Sequence, residues 1–202
     1  MGTKGWTALL LGCLMVACCS CESDNETPGA MDQSSPPVLA SKSRGGVYSR
    51  YNVHYYTRKD LNIASYANYT DCPGHAFLPY NTEFKVGSYG KGFKLTAVDT
   101  GLVILFEYRS ANMGGMSVKD YIDTILSPTP VSYEGLSAVD REGITAGRAM
   151  VGMTKQGVMI ALGYPAKHET PSTDLNAWTY WKGRFNRLVV NFGEDGRVES
   201  TQ

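Results

Sequence analysis

Beyond residue 21 the chain has a single cysteine, Cys72. One thiol cannot form a disulfide inside a folded region, so stability there comes from burial rather than cross-linking. A bridge through the N-terminal segment to Cys19 or Cys21 is the only pairing left open. Net charge is also missing, because 19 basic and 19 acidic side chains cancel. No global field draws the chain to nucleic acid. No apolar run reaches the roughly 20 residues of a membrane span. The three histidines, His54, His75 and His168, have no ligand spacing, so no zinc site is expected and no cofactor is implied. Catalytic signatures are lacking too. Gly147–Gly152 has the glycine spacing of a phosphate loop, but Met153 stands where lysine is required. Gly87–Gly92 is glycine-rich between strands, which suits a hairpin loop rather than a dinucleotide fingerprint. Cys72 and His75 flank a Pro-Gly turn, and two such residues do not make a nucleophile with its base and orienting group.

What is present begins at the N-terminus. Lys4 precedes an apolar run, Trp6–Ala17 (WTALLLGCLMVA), and small residues lead into cysteine. This is signal-peptide anatomy. It resembles a bacterial lipoprotein signal. Residues 1–17 then form the signal peptide and Cys18, after Met15-Val16-Ala17, is the expected lipidation site. Cys13 is the alternative, although it leaves only Trp6–Gly12 as the apolar core. An ordinary secretory signal cut near Ser20 is the other reading. The lipoprotein resemblance implies firm anchoring by several acyl chains. It places the protein in the bacterial cell envelope, on the outer membrane and facing the periplasm.

Glu22–Gly46 carries no aromatic residue and is dominated by Ser, Pro, Asp and Gly. Such a segment cannot bury enough apolar area to offset ordering its backbone. Residues 18–46 therefore read as a lipidated flexible tether with a reach of ~25–30 Å. The remaining stretch of about 155 residues is long enough to bury roughly 70% of its unfolded surface.

Its first part is β-rich. Val47–Tyr56, Ile63–Tyr69, Thr82–Gly87, Phe93–Val98 and Leu102–Tyr108 read as strands, with a turn at Asp71–Gly74. Phe93, Leu95 and Ala97 share one face. Asp99-Thr100-Gly101 reads as a three-residue hairpin with glycine in the left-handed position. The pattern changes at Ser117. Val118, Tyr121, Ile122, Ile125 and Leu126 form one helical stripe, capped by Ser117 and stopped by Pro128 and Pro130. A short helical turn is expected at Ser137–Glu142. Thr154 caps a further helix, Val158 and Leu162 face inward, Lys155 faces solvent and Gly163 closes it. Trp178–Lys182 and Leu188–Phe192 alternate as strands, and Asp195-Gly196 turns into a last short one at Arg197–Glu199. Val158 and Leu162 are expected to pack against Leu188, Val190 and Phe192.

Gly152-Met153-Thr154, Leu162-Gly163-Tyr164-Pro165, Trp178-Thr179-Tyr180, Phe192 and Asp195-Gly196 occur in an order that resembles the SmpA/OmlA family, at about residues 150–199. That family includes the small lipoprotein of outer-membrane barrel assembly. The resemblance implies two helices followed by an antiparallel sheet, and envelope or outer-membrane assembly as a role. Phe77–Val86 resembles the leading strand of a bacterial SH3-like domain, at about 47–110, with Asn81 where the pattern carries glycine. The expected class is thus α+β. A small β-rich, SH3-like part (47–112) precedes a helix–helix–antiparallel-sheet module (113–202).

The expected function is non-catalytic: a lipid-anchored module that binds an envelope protein or the cell wall. Its candidate surface is the hairpin bearing Trp178, Tyr180, Trp181, Arg184 and Arg187. Aromatic and arginine residues are those that dominate protein interfaces. The alternative is a periplasmic lipoprotein that binds a small ligand or glycan in a tyrosine-lined groove between the two parts.

Overall fold

The structure is a computed structural model and describes residues 45–202. The expected signal peptide, Cys18 and all but the end of the tether lie outside the described residues. The described chain runs β1 (Val47–Ser49), β2 (Val53–Arg58), β3 (Leu61–Ser65), β4 (His75–Leu78), β5 (Glu83–Tyr89), β6 (Gly92–Ala97) and β7 (Val103–Glu107). There follow α1 (Val118–Ile125), β8 (Leu126–Ser127), α2 (Ala138–Ala146), α3 (Lys155–Leu162), β9 (Ala177–Trp181), β10 (Arg187–Phe192) and β11 (Val198–Thr201). The class is α+β. Eight strands form one sheet in the order β4-β2-β3-β7-β6-β5-β1-β8, and three form a second in the order β11-β10-β9. Among the described residues every strand-to-strand pairing is antiparallel except that of β3 with β7, and an isolated parallel bridge joins Tyr69 to Trp181.

The first core lies under the large sheet. Phe84, Phe93, Leu95, Ile104 and Phe106 fill it, and the Phe93 and Phe106 rings stack with centroids 4.4 Å apart. The α1 stripe supplies Tyr121 and Ile125 to this same core, and β8 pairs with β1. The expected boundary at 112/113 therefore separates α1 from the residues it packs against. The side chain of Ser117 accepts from the Asp120 N–H, as its capping position predicts.

The second core lies between α2, α3 and the small sheet. Val158 and Leu162 meet Val190 and Phe192, with Leu188 half-buried beside them, the pairing that the helical stripe and strand alternation predict. Helix α2 is longer than the expected turn. Asp140 closes a capping box with Ser137 and also receives Thr154, so one carboxylate organises the starts of both helices. A Cβ at Gly157 would collide with that carboxylate, so only glycine fits there. Lys155 is not a bare solvent position. Its ammonium donates to the Asp174 carbonyl (2.9 Å) and lies 6.0 and 5.5 Å from the Trp178 and Phe192 ring centres. The long flexible stem lets the charge reach those partners from the first turn of the helix.

Val47–Tyr56 is not one continuous strand. The backbone changes partners at Arg50–Asn52, where Arg50 N–H donates to Ile125 and Asn52 N–H donates to Ile160. Asn52 is buried and satisfied: its amide donates to the Ile144 carbonyl (2.7 Å) and its oxygen accepts from Tyr80 N–H (3.0 Å). The strand β4 arises just after the predicted Asp71–Gly74 turn. Asn81 adopts the left-handed conformation (φ 63°) that glycine usually supplies, and its side-chain amide exchanges two hydrogen bonds with the Val131 backbone.

The last carbonyls of a helix need partners from outside it. Those of α3 find them mainly in the first part of the chain. Ile160 accepts from Asn52 N–H (2.9 Å), Ala161 from His54 Nε2–H (2.7 Å), and Tyr164, just beyond, from the Asn68 amide (3.0 Å). The Tyr180 hydroxyl donates to Gly163 (2.9 Å). These bonds join the two cores within one compact unit.

Candidate functional site

Strand β9 decides the fate of the expected hairpin surface. Its alternation turns Trp178 and Tyr180 into the second core, where each is only 1% exposed. The Trp178 indole N–H donates to the Thr173 and Leu175 carbonyls, and Tyr180 is spent on Gly163. Neither can belong to a docking surface, which corrects that part of the expectation. α3 supplies the apolar partner that draws this face inward. Trp181 points the other way and is half-buried. The Arg187 guanidinium sits 5.0 Å from its ring centre and also pairs with Glu169 at 3.0 Å. Arg184 stays exposed at the hairpin tip. Sequence reasoning missed its neighbour Phe185, which is 85% exposed.

A different set of residues converges at the junction of the two sheets. On β2, Val53 and Tyr55 face the first core, so Tyr56 and Arg58 face outward. On β7, Ile104 and Phe106 face the core, so Glu107 faces outward. The parallel pairing of β3 with β7 sets Ser65 opposite Glu107, and the antiparallel pairing of β2 with β3 sets Tyr56 opposite Ile63. The segment after β3 brings Tyr69 over this face. Thr70 and Asp71 N–H groups donate to the Trp181 and Lys182 carbonyls at 3.0 and 2.9 Å. Those bonds hold the β9–β10 hairpin alongside the first sheet and carry Arg184 to the same place.

The result is a groove of about 610 Å³ lined by Tyr56, Arg58, Tyr69, Cys72, Glu107, Arg109 and Arg184 among others. A second hollow of about 290 Å³, with Tyr66, Tyr89, Lys91 and Tyr108, shares Tyr69, Glu107 and Arg109 with it. The Tyr56 and Tyr69 rings lie 5.8 Å apart and tilted by 45°. Burial first raises the pKa of both phenols, followed by the Glu107 charge at Tyr56 and by Tyr66 and then Glu107 at Tyr69; Arg58 opposes this at Tyr56 and Arg184 at Tyr69. Both hydroxyls are therefore neutral donors at neutral pH. Arg58, Lys91, Glu107, Arg109 and Arg184 form no ion pair with another described residue.

Cys72 is in this groove, but its thiol is pushed up by burial, with Asp71 adding to the effect. The His75 ring is turned away to His54, Nε2 to Nδ1 at 2.9 Å. His54 Nε2 must donate to the Ala161 carbonyl, so His54 Nδ1 accepts and His75 Nε2–H donates. Among the described residues no group of three His, Cys, Asp or Glu side chains is placed to hold a metal ion. Nor is any described helix long and apolar enough to cross a membrane. Compared with known protein families, with curated proteins and with solved structures, the chain matches none.

Proposed function

We propose that the chain is a non-catalytic, lipid-anchored binding protein of the bacterial envelope, and that its ligand lies in the groove between the two sheets. One observation carries this reading. Two tyrosines, three guanidinium groups and one carboxylate, none of the charges paired with another described residue, line one concave surface built from both halves of the fold. Concave sites with a few convergent polar groups are where small ligands bind. Tyrosine offers an apolar face and a hydroxyl at once, which suits polar, ring-shaped ligands such as sugars.

The finer reading of the fold belongs to the same proposal: an SH3-like part followed by an SmpA/OmlA-like module. Its support is the run of α2, α3 and a three-stranded antiparallel meander, together with the left-handed Asn81 at the glycine position of the SH3-like pattern. The membrane is reached through the lipid on Cys18.

A second reading, docking to an envelope protein, is favoured by the exposed Arg184-Phe185 tip. The mature chain carrying Cys18→Ser, titrated with soluble cell-wall glycan fragments, separates the two. A saturable tryptophan fluorescence change that Tyr69→Ala abolishes is the expected result, since Trp181 adjoins Tyr69. If no saccharide binds, and a photo-crosslinker at Phe185 traps a discrete envelope protein, the second reading replaces the first.

A further inference from the structure

We propose that the ligand of this groove is an oligosaccharide bearing carboxylate groups, held by Arg58, Arg109 and Arg184 on the acid and by Tyr56, Tyr69 and Glu107 on the sugar. This rests on the reading of the groove as a glycan site and names the class of glycan. Three guanidinium groups meet at one hollow and only Glu107 stands among them. Gathering like charges without partners is unfavourable, and a groove with low-dielectric walls enhances the field they make. The missing counter-charge is supplied by a ligand. Guanidinium is planar and presents paired N–H donors that match a carboxylate, so it favours this group over a neutral hydroxyl.

Glu107 and the tyrosines decide between an acidic sugar and other anions. A carboxylate only accepts hydrogen bonds. Glu107, which lines both compartments and pairs with no other described residue, repels a ligand that is anionic throughout, such as a phosphate cluster. It suits one whose acidic groups alternate with hydroxyl donors. The tilted Tyr56 and Tyr69 rings offer faces for the C–H side of a pyranose, with neutral phenols to donate to ring and hydroxyl oxygens. Size points to more than one sugar. The 610 Å³ groove and the 290 Å³ hollow share Tyr69, Glu107 and Arg109, so the binding surface is extended and Lys91 lies in its second compartment. Each volume is near or within the 300–1,000 Å³ typical of ligand pockets.

The saccharide carboxylate has two natural sources: a uronic acid, or the lactyl group of a cell-wall amino sugar. The test uses the mature chain with Cys18→Ser and isothermal titration. The probes are trigalacturonate, a muramic-acid-containing disaccharide, the carboxyl-reduced neutral form of each, and triglutamate. One of the two acidic saccharides is expected to bind at least tenfold more tightly than its neutral form, and the tighter of them names the source. Raising salt from 50 to 500 mM should weaken that binding, because the groove is open to solvent. Arg109→Gln and Arg184→Gln should each cost at least tenfold, whereas Lys85→Gln, on β5 and outside the groove, should not. Equal binding of the neutral forms overturns this inference and leaves the glycan groove standing. Triglutamate binding as tightly as the acidic sugars overturns the saccharide assignment. Failure of every saccharide to bind overturns the groove reading itself.

Discussion

Asp140 on α2 accepts two hydrogen bonds from Thr154, the residue that caps α3: the backbone N–H at 2.7 Å and the hydroxyl at 3.1 Å. Its other oxygen accepts the Ser137 N–H and hydroxyl at 2.9 and 2.8 Å. A single buried carboxylate thus faces the positive ends of two helices. Burial by itself pushes this carboxyl up, but the bonds from Ser137 and Thr154 outweigh it and hold it below its ordinary value.

Asp140→Ala is therefore expected to destabilise the fold by about 3 kcal/mol or more. It removes charge-assisted bonds and leaves buried donors unmet. Ser137→Ala, which loses one cap, should cost about 1 kcal/mol. Because the folded carboxyl is depressed, its contribution is present above the unfolded value near pH 4 and lost as pH falls through the folded one. Urea denaturation of both variants, and of the parent between pH 5 and 2.5, checks this.

His54 predicts a second, higher window. Burial, with His75 adding to it and the Ala161 bond opposing it, drives its pKa from 6.5 to about 4. The unfolded chain then binds a proton that the folded chain refuses. Stability is full above about pH 6.5 and declines toward pH 4, by about 3 kcal/mol in all. The half-buried His75, lowered chiefly by burial, acts in the same direction. Denaturation midpoints at pH 7, 5.5 and 4.5 should fall steeply in the parent and more gently in His54→Gln. Equal slopes would remove His54 as the cause.

Leu162→Ala should cost about 2–5 kcal/mol, as the loss of a fully buried side chain does. Gly163→Ala should cost more than about 1 kcal/mol. Its φ is +80°, and an added Cβ would stand 2.8 Å from both the Asn68 amide nitrogen and the Tyr51 ring. The proper control is Glu142→Ala on the open side of α2, within about 0.5 kcal/mol of the parent. Lys155 cannot serve, since it covers Trp178 and Phe192. A Leu162→Ala variant as stable as Glu142→Ala would mean the second core is wrongly drawn.

Cys18→Ala should abolish fatty-acid labelling in cells and leave the precursor uncleaved at that site. Metabolic labelling with a radioactive fatty acid checks the first outcome, and an immunoblot of precursor size checks the second. Full labelling in Cys18→Ala with loss only in Cys13→Ala would move the anchor to Cys13.

Features set by a few neighbouring residues were legible in the sequence. The caps at Ser117 and Thr154, the end of α3 at Gly163 and the Asp99–Gly101 hairpin each depend on contacts within about four residues. The break at Arg50–Asn52 was hidden because Val and Tyr continue the strand pattern on both sides, while the partners that impose it, Ile125 and Ile160, lie far along the chain. Alternation put Trp178 and Tyr180 on one face and Trp181 on the other, yet only α3 determines which face is buried. Tyr56, Tyr69, Glu107 and Arg184 meet through a parallel strand pairing and a docked hairpin, and no local pattern marks either.

The capping of α2 and α3 by the first part of the chain has a kinetic consequence. Asn52 waits for Ile144, 92 residues on, and His54 for Ala161, 107 residues on. Until the chain has extended past residue 161, the first strands have no means of completing these bonds. Contacts so distant in sequence make folding slow, because the loop must close before either end gains anything. The local hairpins of the first sheet can pair as soon as they are made, whereas the joint between the two cores closes only when almost the whole chain is present.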